Sequence, residues 1–342
     1  MERLDAKFSM LRKELDKSAK PYFFFDDDPD GLCSFLLLYR YKGDGKGTCV
    51  KARPKVIEAD ARRADEFGAD AIFVLDMPMV EQEFFDAAPA KVFWIDHHEP
   101  LERQNVTYVN PRLFKKDAYY PTSLMAYNIV KQDLWIAAVG VTADFLVPPF
   151  LEEFKEKYPG YVNNENTPEE LLFETKLGKL INIFSMILKG PTSKMNACIK
   201  VLTRIEHPDE ILNQTTPPGK FLYKYYEKYR KLYDQLLEDA SGYRNEKDDL
   251  YVFTYQSERI SLTADVALEL LYKNPDKVVI VAREKDGEMK LSIRARKNIR
   301  DALQSAIQGL DAQGGGHEMA CGASVNKNDW DVFLQKFRDH LS

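Results

Sequence analysis

The sequence predicts a mixed α/β protein with a parallel-sheet N-terminal part, a helical connecting region and a smaller α/β C-terminal part. At 342 residues, the chain is longer than one hydrophobic core usually supports. Short apolar runs alternate with helical patterns up to about residue 150, which is typical of parallel strands buried on both faces. A second α/β pattern begins at Asp249, after a helix-rich stretch. We therefore expect divisions at 1–150, 151–245 and 246–342.

The N-terminal part begins with an amphipathic helix within Met1–Lys20, and apolar runs then predict the strands of the sheet. In a parallel sheet, functional groups collect at the carboxyl ends of the strands, so the residues that follow each run are the first candidates for a site. The predicted strands are Tyr22–Phe25, Ala71–Leu75 and Lys91–Ile95, with a weaker one near Thr48–Ala52.

The connecting region contains two long helical patterns, Glu169–Leu188 and Lys220–Leu237. The second pattern is rich in tyrosine, which is typical of a packing layer, although a stacking platform for nucleic acid is the alternative. These tyrosines are Tyr223, Tyr225, Tyr226, Tyr229 and Tyr233.

The C-terminal part alternates strands and helices, and a glycine triplet interrupts the pattern. The predicted elements are strands Leu250–Thr254, Val278–Arg283, Lys290–Arg294 and Ala320–Val325, and helices Leu262–Tyr272, Ile299–Ile307 and Trp330–Leu341.

Charge and cysteine usage exclude several classes of protein. The 48 basic and 54 acidic residues give a net charge of -6 without a polybasic block, so a nucleic-acid substrate must be held locally or be short. The four cysteines lie far apart, which disfavours a zinc knuckle, a redox pair or a disulfide framework and indicates a reducing, cytoplasmic location. No apolar stretch approaches the ~18 residues of a membrane span.

The first predicted strand ends in a cluster of aspartates at Asp26, Asp27, Asp28 and Asp30. Such a cluster repels itself unless cations bind, although a solvated acidic turn or a helix cap is the alternative. The order Asp26-x-Asp28-x-Asp30-Gly31 also matches the first half of a calcium loop. The twelfth loop position, Leu37, cannot supply the required glutamate, so a calcium loop is disfavoured.

Two further strand ends carry possible metal ligands: Asp76 follows Leu75, and Asp96-His97-His98 follows Ile95. Asp144 ends another apolar stretch, where it is either a cap or a ligand. Carboxylates with imidazole and no thiolate suit manganese or magnesium. The ligands suffice for two ions, a pair that can activate water and stabilise an in-line attack on phosphorus.

These motifs resemble the DHH phosphoesterase superfamily, named for the Asp-His-His seen here at 96–98. The C-terminal part resembles the DHH-associated domain of the RecJ and nanoRNase branches through Ser292-Ile293-Arg294 and Gly314-Gly315-Gly316-His317. The resemblance implies a DHH catalytic domain at 1–150, a helical insertion or linker at 151–245 and a substrate-binding domain at 246–342. It also implies two Mn²⁺ or Mg²⁺ ions in an active-site cleft between the first and last of these.

The resemblance implies a role for each acidic strand end. Asp28 would bind one metal, while Asp30, His97 and Asp144 would bind the other, and Asp76 would bridge the two. His98 would contact the scissile phosphate and Asp96 would orient the histidines. Asp26 matches the leading aspartate of RecJ-type sequences. Phe24 stands where nanoRNases and pyrophosphatases usually carry histidine, which favours the RecJ-like branch, and the size and motif set resemble the archaeal RecJ-like nucleases.

In the C-terminal part, the resemblance implies a phosphate-binding set. Glycines let backbone amides approach a phosphate closely, and a guanidinium and an imidazole add donors. A flexible turn beside a core histidine is the alternative. The implied residues are Ser292, Arg294, Gly314, Gly315, Gly316 and His317.

The resemblance therefore implies an enzyme, a two-metal phosphodiesterase that acts as an exonuclease on single-stranded DNA or RNA from an end. The alternatives are a nanoRNase, a 3'-phosphoadenosine 5'-phosphate phosphatase or a linear or cyclic dinucleotide phosphodiesterase. A third alternative is a non-catalytic scaffold derived from RecJ. The expected partners are a single-stranded or short nucleic acid and a replication or repair protein, without membrane association.

Overall fold

The structure of the protein is a computed structural model that describes residues 2–51, 55–243, 248–256 and 260–341. The chain divides into two compact units, Met1–Lys224 (unit 1) and Tyr225–Ser342 (unit 2), and each contains a five-stranded sheet. The prediction of a mixed α/β protein with a parallel N-terminal sheet and a smaller C-terminal one is confirmed. The division at residues 150 and 245 stays a prediction.

The elements of unit 1 follow the predicted alternation of strands and helices, with a helical second half. Two short segments add to it, the strand β5 and a 3-10 turn at Pro111–Leu113. In chain order the elements are α1 (Glu2–Lys17), β1 (Pro21–Asp26), α2 (Pro29–Lys42), β2 (Lys46–Val50), α3 (Glu58–Phe67), β3 (Ala71–Leu75), α4 (Gln82–Ala87), β4 (Lys91–Ile95), β5 (Val106–Val109), α5 (Thr122–Val130), α6 (Leu134–Ala143), α7 (Leu151–Lys157), α8 (Pro168–Phe173), α9 (Lys176–Leu188), α10 (Thr192–Leu202) and α11 (Asp209–Leu212).

The first sheet is parallel throughout, in the order β2-β1-β3-β4-β5. Its three apolar central strands, predicted from sequence, are aligned so that their carboxyl ends meet at one edge. Strand β2 corresponds to the weaker predicted run, whose final residue, Ala52, lies outside the described residues. The three acidic motifs follow β1, β3 and β4 and therefore meet at this edge of the sheet.

Both faces of the central strands are buried, which explains their unbroken apolar sequence. On one face, Phe23, Phe73 and Phe93 stack across β1, β3 and β4 with ring centroids 5.4 and 5.1 Å apart. On the other face, Phe24 and Trp94 belong to the core cluster that α3 and α4 complete. These aromatic layers hold the strand ends rigidly, and the site is built on those ends.

The predicted helix Glu169–Leu188 is wrong as a single element, because it is divided into α8 and α9. Thr175 begins the second helix, and its hydroxyl accepts a hydrogen bond from the amide of Gly178 at 2.9 Å. A Cβ on Gly178 would lie 2.1 Å from the carbonyl oxygen of Leu172, so glycine permits the tight turn between the helices. Helical periodicity does not reveal a break of this kind.

Helix α12 (Pro217–Ser241) contains the boundary between the units, and unit 2 continues from it. The remaining elements are β6 (Leu250–Gln256), α13 (Thr263–Lys273), β7 (Val278–Lys285), β8 (Glu288–Arg294), α14 (Arg300–Ile307), β9 (Ala312–His317), β10 (Ala320–Asn326) and α15 (Trp330–Asp339), with a 3-10 turn at Lys327–Asp329.

The second sheet has the order β6-β7-β8-β10-β9, with β6 and β7 parallel and the other pairs antiparallel. The glycine triplet lies within strand β9 and pairs along its length with β10. The alternative of a flexible turn for these glycines is therefore wrong. The pairing of β9 with β10 overrides the low strand propensity of glycine.

The tyrosines of α12 pack into the protein: Tyr226, Tyr229 and Tyr233 are buried. The Tyr233 hydroxyl donates to the Glu269 carboxylate. This burial agrees with the packing layer and leaves these three rings no face for nucleic acid. Of the helices in the described residues, none has both the length and the apolar character needed to cross a membrane.

Candidate metal centre

The loop between β1 and α2 presents the first carboxylates. Asp26 is the last residue of β1, and Asp28 is the N-cap of α2, where its Oδ1 accepts from the amide of Gly31 at 2.8 Å. The loop folds back so tightly that a Cβ on Gly31 would lie 2.9 Å from the backbone nitrogen of Asp26. This close approach requires glycine and holds Asp26, Asp28 and Asp30 together.

Asp30 is fixed by a helix that begins 92 residues further along the chain. Its two carboxylate oxygens accept from the amides of Thr122 and Ser123, at 2.8 and 2.9 Å, at the start of α5. Asp30 is completely buried, so these charge-assisted bonds replace the water that the carboxylate would otherwise bind.

Asp76 follows β3 in a left-handed backbone conformation, with φ of 60°. Its amide donates to the carbonyl of Ile95 at 2.9 Å, and its Oδ1 accepts from the Thr122 hydroxyl at 3.1 Å. The left-handed region is uncommon for residues other than glycine, and such strain gathers at functional sites. The conformation turns the carboxylate of Asp76 toward the other strand ends.

His97 lies between two carboxylates. Its Nε2 is 3.3 Å from Asp76 Oδ1 and its Nδ1 is 3.6 Å from Asp144 Oδ2. Asp144 caps the end of α6, and its Oδ2 is buried without a hydrogen-bond partner among the described residues. A buried carboxylate oxygen without a donor is costly, and a cation would remove that cost.

Asp96 and its neighbours hold His98. Asp96 is buried, and its Oδ1 is 2.8 Å from His98 Nδ1, while its Oδ2 accepts from the His98 amide and the Tyr108 hydroxyl, both at 3.2 Å. Asn110 donates to the carbonyl of His98 at 2.9 Å. The Nε2 of His98 is thereby given a fixed direction, as in metal sites where a carboxylate orients a ligating histidine.

Among the residues that the structure describes, two groups of side chains could each hold a metal ion, and His97 belongs to both. The donor atoms within each group lie within 4.8 Å of one another, and the groups are Asp76, His97 and His98, and Asp30, His97 and Asp144. Carboxylate oxygens with imidazole nitrogens, and the unpartnered Asp144 oxygen, fit Mn²⁺ or Mg²⁺.

The structure thus brings together most of the residues that the resemblance assigned to metal binding. Asp30, His97 and Asp144 share a group, as expected for one ion, whereas His98 rather than Asp28 completes the group of Asp76. Asp26 and Asp28 lie close enough to His98 for their charges to act on its pKa. The individual ligand assignments stay predictions.

Burial and mutual repulsion raise the pKa values of the carboxyl groups. Burial, then the charge of Asp28, raises the pKa of Asp30 to about 7, and the same two causes raise that of Asp26 to about 8. Burial, and then the charges of Asp30 and Asp28, raise the pKa of Asp76 and of Asp144 well above the usual range. The cluster therefore lacks positive charge, which divalent cations would supply.

This repulsion predicts how the stability of the metal-free protein depends on pH. A carboxyl whose pKa is raised in the folded state holds its proton more tightly there than in the unfolded chain. In excess chelator, the free energy of unfolding should therefore fall as pH rises from about 4 through 8, by no more than about 1.4 kcal/mol per pH unit for each carboxyl.

Urea denaturation at pH 6 and pH 9 measures this slope. An Asp26→Asn variant should show a smaller decrease, because the variant lacks one of the titrating groups. Stability that is equal at the two pH values in the wild-type protein would contradict the proposed repulsion.

Unit 2 places four of the six predicted phosphate-binding residues on one face of its sheet, whereas Gly314 and Gly316 lie on the opposite face. The register aligns Arg294 with Ala320 and His317, and Ser292 with Gly322 and Gly315, across β8, β10 and β9. Residues directly opposite share a face, and so do residues two apart. Small residues thus form the floor between Arg294 and His317, and a Cβ on Gly315 would meet nothing within 4 Å.

Arg294 forms no salt bridge within 4.0 Å among the described residues, although the charge of Asp265 acts on its pKa. Its Nη1 donates to the carbonyls of Ile293 and Cys321, at 3.0 and 3.4 Å, and burial lowers its pKa. A largely buried guanidinium without an ion pair is suited to bind an anion. Gly316, with φ of 142°, approaches the backbone of β10 so closely that only glycine fits.

Sequence reasoning missed the residues that support the ligands. Thr122 and Ser123 hold Asp30, Thr122 also holds Asp76, and Tyr108 and Asn110 hold Asp96. The Pro-Thr-Ser start of an apolar helix and the Asn-Pro step after β5 were the available signals. Neither signal points to a particular carboxylate far away in the sequence.

Comparison with known proteins agrees with this geometry. Residues 254–342 match the family model of the DHHA1 domain. RecJ from Thermus thermophilus in complex with Mn²⁺ has a TM-score of 0.69 at 16% identity, over 98% of this chain and 54% of that one. The chain therefore spans about half the length of that RecJ. No curated protein sequence is significantly similar to this chain.

Two further structures are similar over nearly their whole length. Exonuclease RecJ bound to manganese has a TM-score of 0.64 at 16% identity, over 98% of this chain and 94% of that one. The pGpG-specific phosphodiesterase PggH from Vibrio cholerae has a TM-score of 0.52 at 18% identity, over 94% and 98%. The predicted resemblance is confirmed at the level of the fold: the chain has a RecJ-like fold, and its residues 254–342 match the DHHA1 domain.

Proposed function

We propose that the chain is a phosphodiesterase that depends on two Mn²⁺ or Mg²⁺ ions. The observation that carries this proposal is the pair of ligand groups that share His97 at the carboxyl edge of the first sheet. Bound there, two divalent ions would supply an activated water and stabilise the oxygens that enter and leave phosphorus. No protein nucleophile is then needed.

The side chains of the site would have different roles in metal binding and in contact with the phosphate. As the resemblance implies, Asp76 would bridge the ions; its carboxylate lies 3.3 Å from His97 and accepts a hydrogen bond from Thr122. Asp30, His97 and Asp144 would complete one ion site, and Asp28 and Asp26 would serve the other. Burial acts to lower the pKa of His98, but the hydrogen bond to Asp96 and the charges of Asp96, Asp28 and Asp26 together outweigh burial and raise it. As the resemblance implies, His98 would contact the scissile phosphate, with its ring oriented by Asp96.

The substrate we propose is a single-stranded DNA or RNA, cleaved from an end. Support comes from the RecJ-like fold over almost the whole chain and from the phosphate-ready face of unit 2, formed by Ser292, Arg294, Gly315 and His317. A phosphate bound on that face would be one that does not react. Binding of such a phosphate would favour cleavage at a defined distance from the end of the nucleic-acid strand.

A linear or cyclic dinucleotide is the second candidate substrate. The similarity to PggH, which covers nearly all of both chains, favours it, as does the absence of a polybasic block in the sequence. A non-catalytic scaffold would not need to preserve ligands, and the complete set of carboxylates and histidines argues against that alternative. The replication or repair partner and the cytoplasmic location remain predictions.

Hydrolysis should require a divalent ion, with Mn²⁺ at least as effective as Mg²⁺, because imidazole and carboxylates are mixed in the site. The test is a product ladder from end-labelled DNA and RNA oligomers of several lengths, with each metal and with excess chelator. Full activity in chelator would exclude the metal mechanism. A ladder of mononucleotides from long strands supports the exonuclease, whereas cleavage of dinucleotides alone supports the second candidate.

A further inference from the structure

The exposed large hydrophobic side chains of unit 1 lie mostly in loops that follow the carboxyl ends of its strands, where the candidate metal centre also lies. Among the described residues of unit 1, every exposed large hydrophobic side chain except Phe221 lies in a segment that follows a strand or ligand of this edge. These side chains are Met79, Leu113, Phe114, Tyr119 and Phe145. Scattered exposed hydrophobic residues are normal in proteins, but a group beside one polar site indicates binding.

Tyr119 is tied to two candidate ligands although 52% of the residue is exposed. Its hydroxyl donates to the backbone carbonyl of Asp144. Its ring meets the ring of His97 edge-on, with centroids 5.9 Å apart and an angle of 69° between the planes. The protein thus contacts both the hydroxyl and the ring of Tyr119, and these contacts fix the position of the ring beside the metal centre.

Phe145 directly follows Asp144 in a left-handed conformation, with φ of 61° and 40% of the residue exposed. This position after a helix usually carries glycine, and a bulky aromatic residue there is strained. Because the ring of Phe145 is partly exposed, its burial offsets only part of this strain. Strain of this kind at the rim of a site points to a role in binding.

We propose that Tyr119 and Phe145 stack against an unpaired nucleobase next to the phosphate at the metal centre. The proposal rests on the proposed function and narrows its substrate class. Aromatic rings bind the flat faces of bases, and the net charge of -6 gives the protein no strong general attraction for a phosphate backbone. Bases within a duplex are already stacked, and inorganic pyrophosphate has no base. Tyr119 and Phe145 would therefore favour single strands over both.

The test compares intact oligomers with oligomers that carry one abasic residue at successive positions from the digested end. Tyr119→Ala and Phe145→Ala should each lower kcat/KM on the intact strand by roughly 5- to 150-fold, the range of one base–aromatic stack. On the oligomer that lacks the contacted base, the loss should be small, and the wild-type protein should itself be slower. Tyr119→Phe keeps the ring and should retain most activity.

Phe221→Ala is the matched control, because Phe221 is similarly exposed, at 43%, on helix α12. It should leave both substrates unaffected. Equal losses on intact and abasic strands for Tyr119→Ala would show that the residue only supports His97 and Asp144, and would overturn the proposal. Hydrolysis of both strands at equal rates by the wild-type protein would overturn it too, while leaving the proposed function intact.

A binding measurement tests stacking without turnover. In an Asp76→Asn background, 2-aminopurine at the contacted position should lose fluorescence when the strand binds, and Tyr119→Ala should prevent most of that quenching. Quenching that is unchanged in both alanine variants would overturn the proposal. Tyr119 and Phe145 would then be assigned to contact with a protein partner. If no strand is hydrolysed but quenching depends on Tyr119, the proposed function fails while the base-binding site stands.

Discussion

An Asp76→Asn variant is expected to lose hydrolysis by about 10³-fold or more while remaining folded. Asparagine keeps the size of the side chain, accepts the hydrogen bond of Thr122 and tolerates the left-handed backbone at this position. It removes the charge that would bridge two ions. The several kcal/mol that metal ions contribute to the transition state correspond to losses of this order. Steady-state rates with Mn²⁺ and a metal titration by calorimetry provide the measurement.

Stability separates a loss of metal from a loss of fold. In chelator at pH 8, the Tm of Asp76→Asn should equal or exceed that of the wild-type protein, because one source of repulsion among the carboxylates is gone. Asp65→Ala, an exposed aspartate on α3, is the matched control and should keep both activity and metal binding. Near-wild-type hydrolysis by Asp76→Asn would mean that Asp76 is not the bridge.

The second large effect is expected at Arg294. Arg294→Ala should cost on the order of 2–4 kcal/mol in kcat/KM for substrates that carry an anchoring phosphate, because a pre-positioned guanidinium can bind a phosphate through two hydrogen bonds. Hydrolysis of a small activated phosphodiester should change little, since such a substrate has no anchoring phosphate to lose. The two substrates should be measured on the same preparation, with the metal content of each variant determined.

Two further variants make this test specific. Arg294→Lys keeps the charge but not the planar fork, and should recover only part of the loss. Lys290→Ala removes an exposed charge from the same strand and should be nearly silent. An equal loss on both substrates for Arg294→Ala would show that Arg294 supports the fold or the reaction centre, and the phosphate-binding face of unit 2 would then be wrongly assigned.

The acidic strand ends could be predicted from sequence because the signal, an uninterrupted apolar run followed by aspartate, lies within a few consecutive residues. Phe23 to Phe25 and Ile72 to Leu75 are apolar without interruption, so they predict strands buried on both faces, and the aspartates that follow must lie at one edge. His97 and His98 follow the same reasoning. Chemistry placed at the ends of regular elements can be inferred without coordinates.

Features that depend on partners distant in sequence could not be predicted. Strand β9 reads as Ala-Gln-Gly-Gly-Gly-His, a poor strand former that adopts its conformation through pairing with β10. The carboxylate of Asp30 finds its donors in α5, and the left-handed conformations of Asp76 and Phe145 have no glycine to announce them. Local propensity contains no information about any of these contacts.

The hydrogen bonds of Asp30 also give helix α5 an unusual beginning. Pro121 stands at its N-cap and offers no side-chain acceptor, so the amides of Thr122 and Ser123 are capped by a carboxylate from another helix. A metal ion that draws on the Asp30 oxygens must therefore share them with the first turn of α5. The amide resonances of these two residues become a spectroscopic gauge of metal occupancy, readable by NMR without substrate and without turnover.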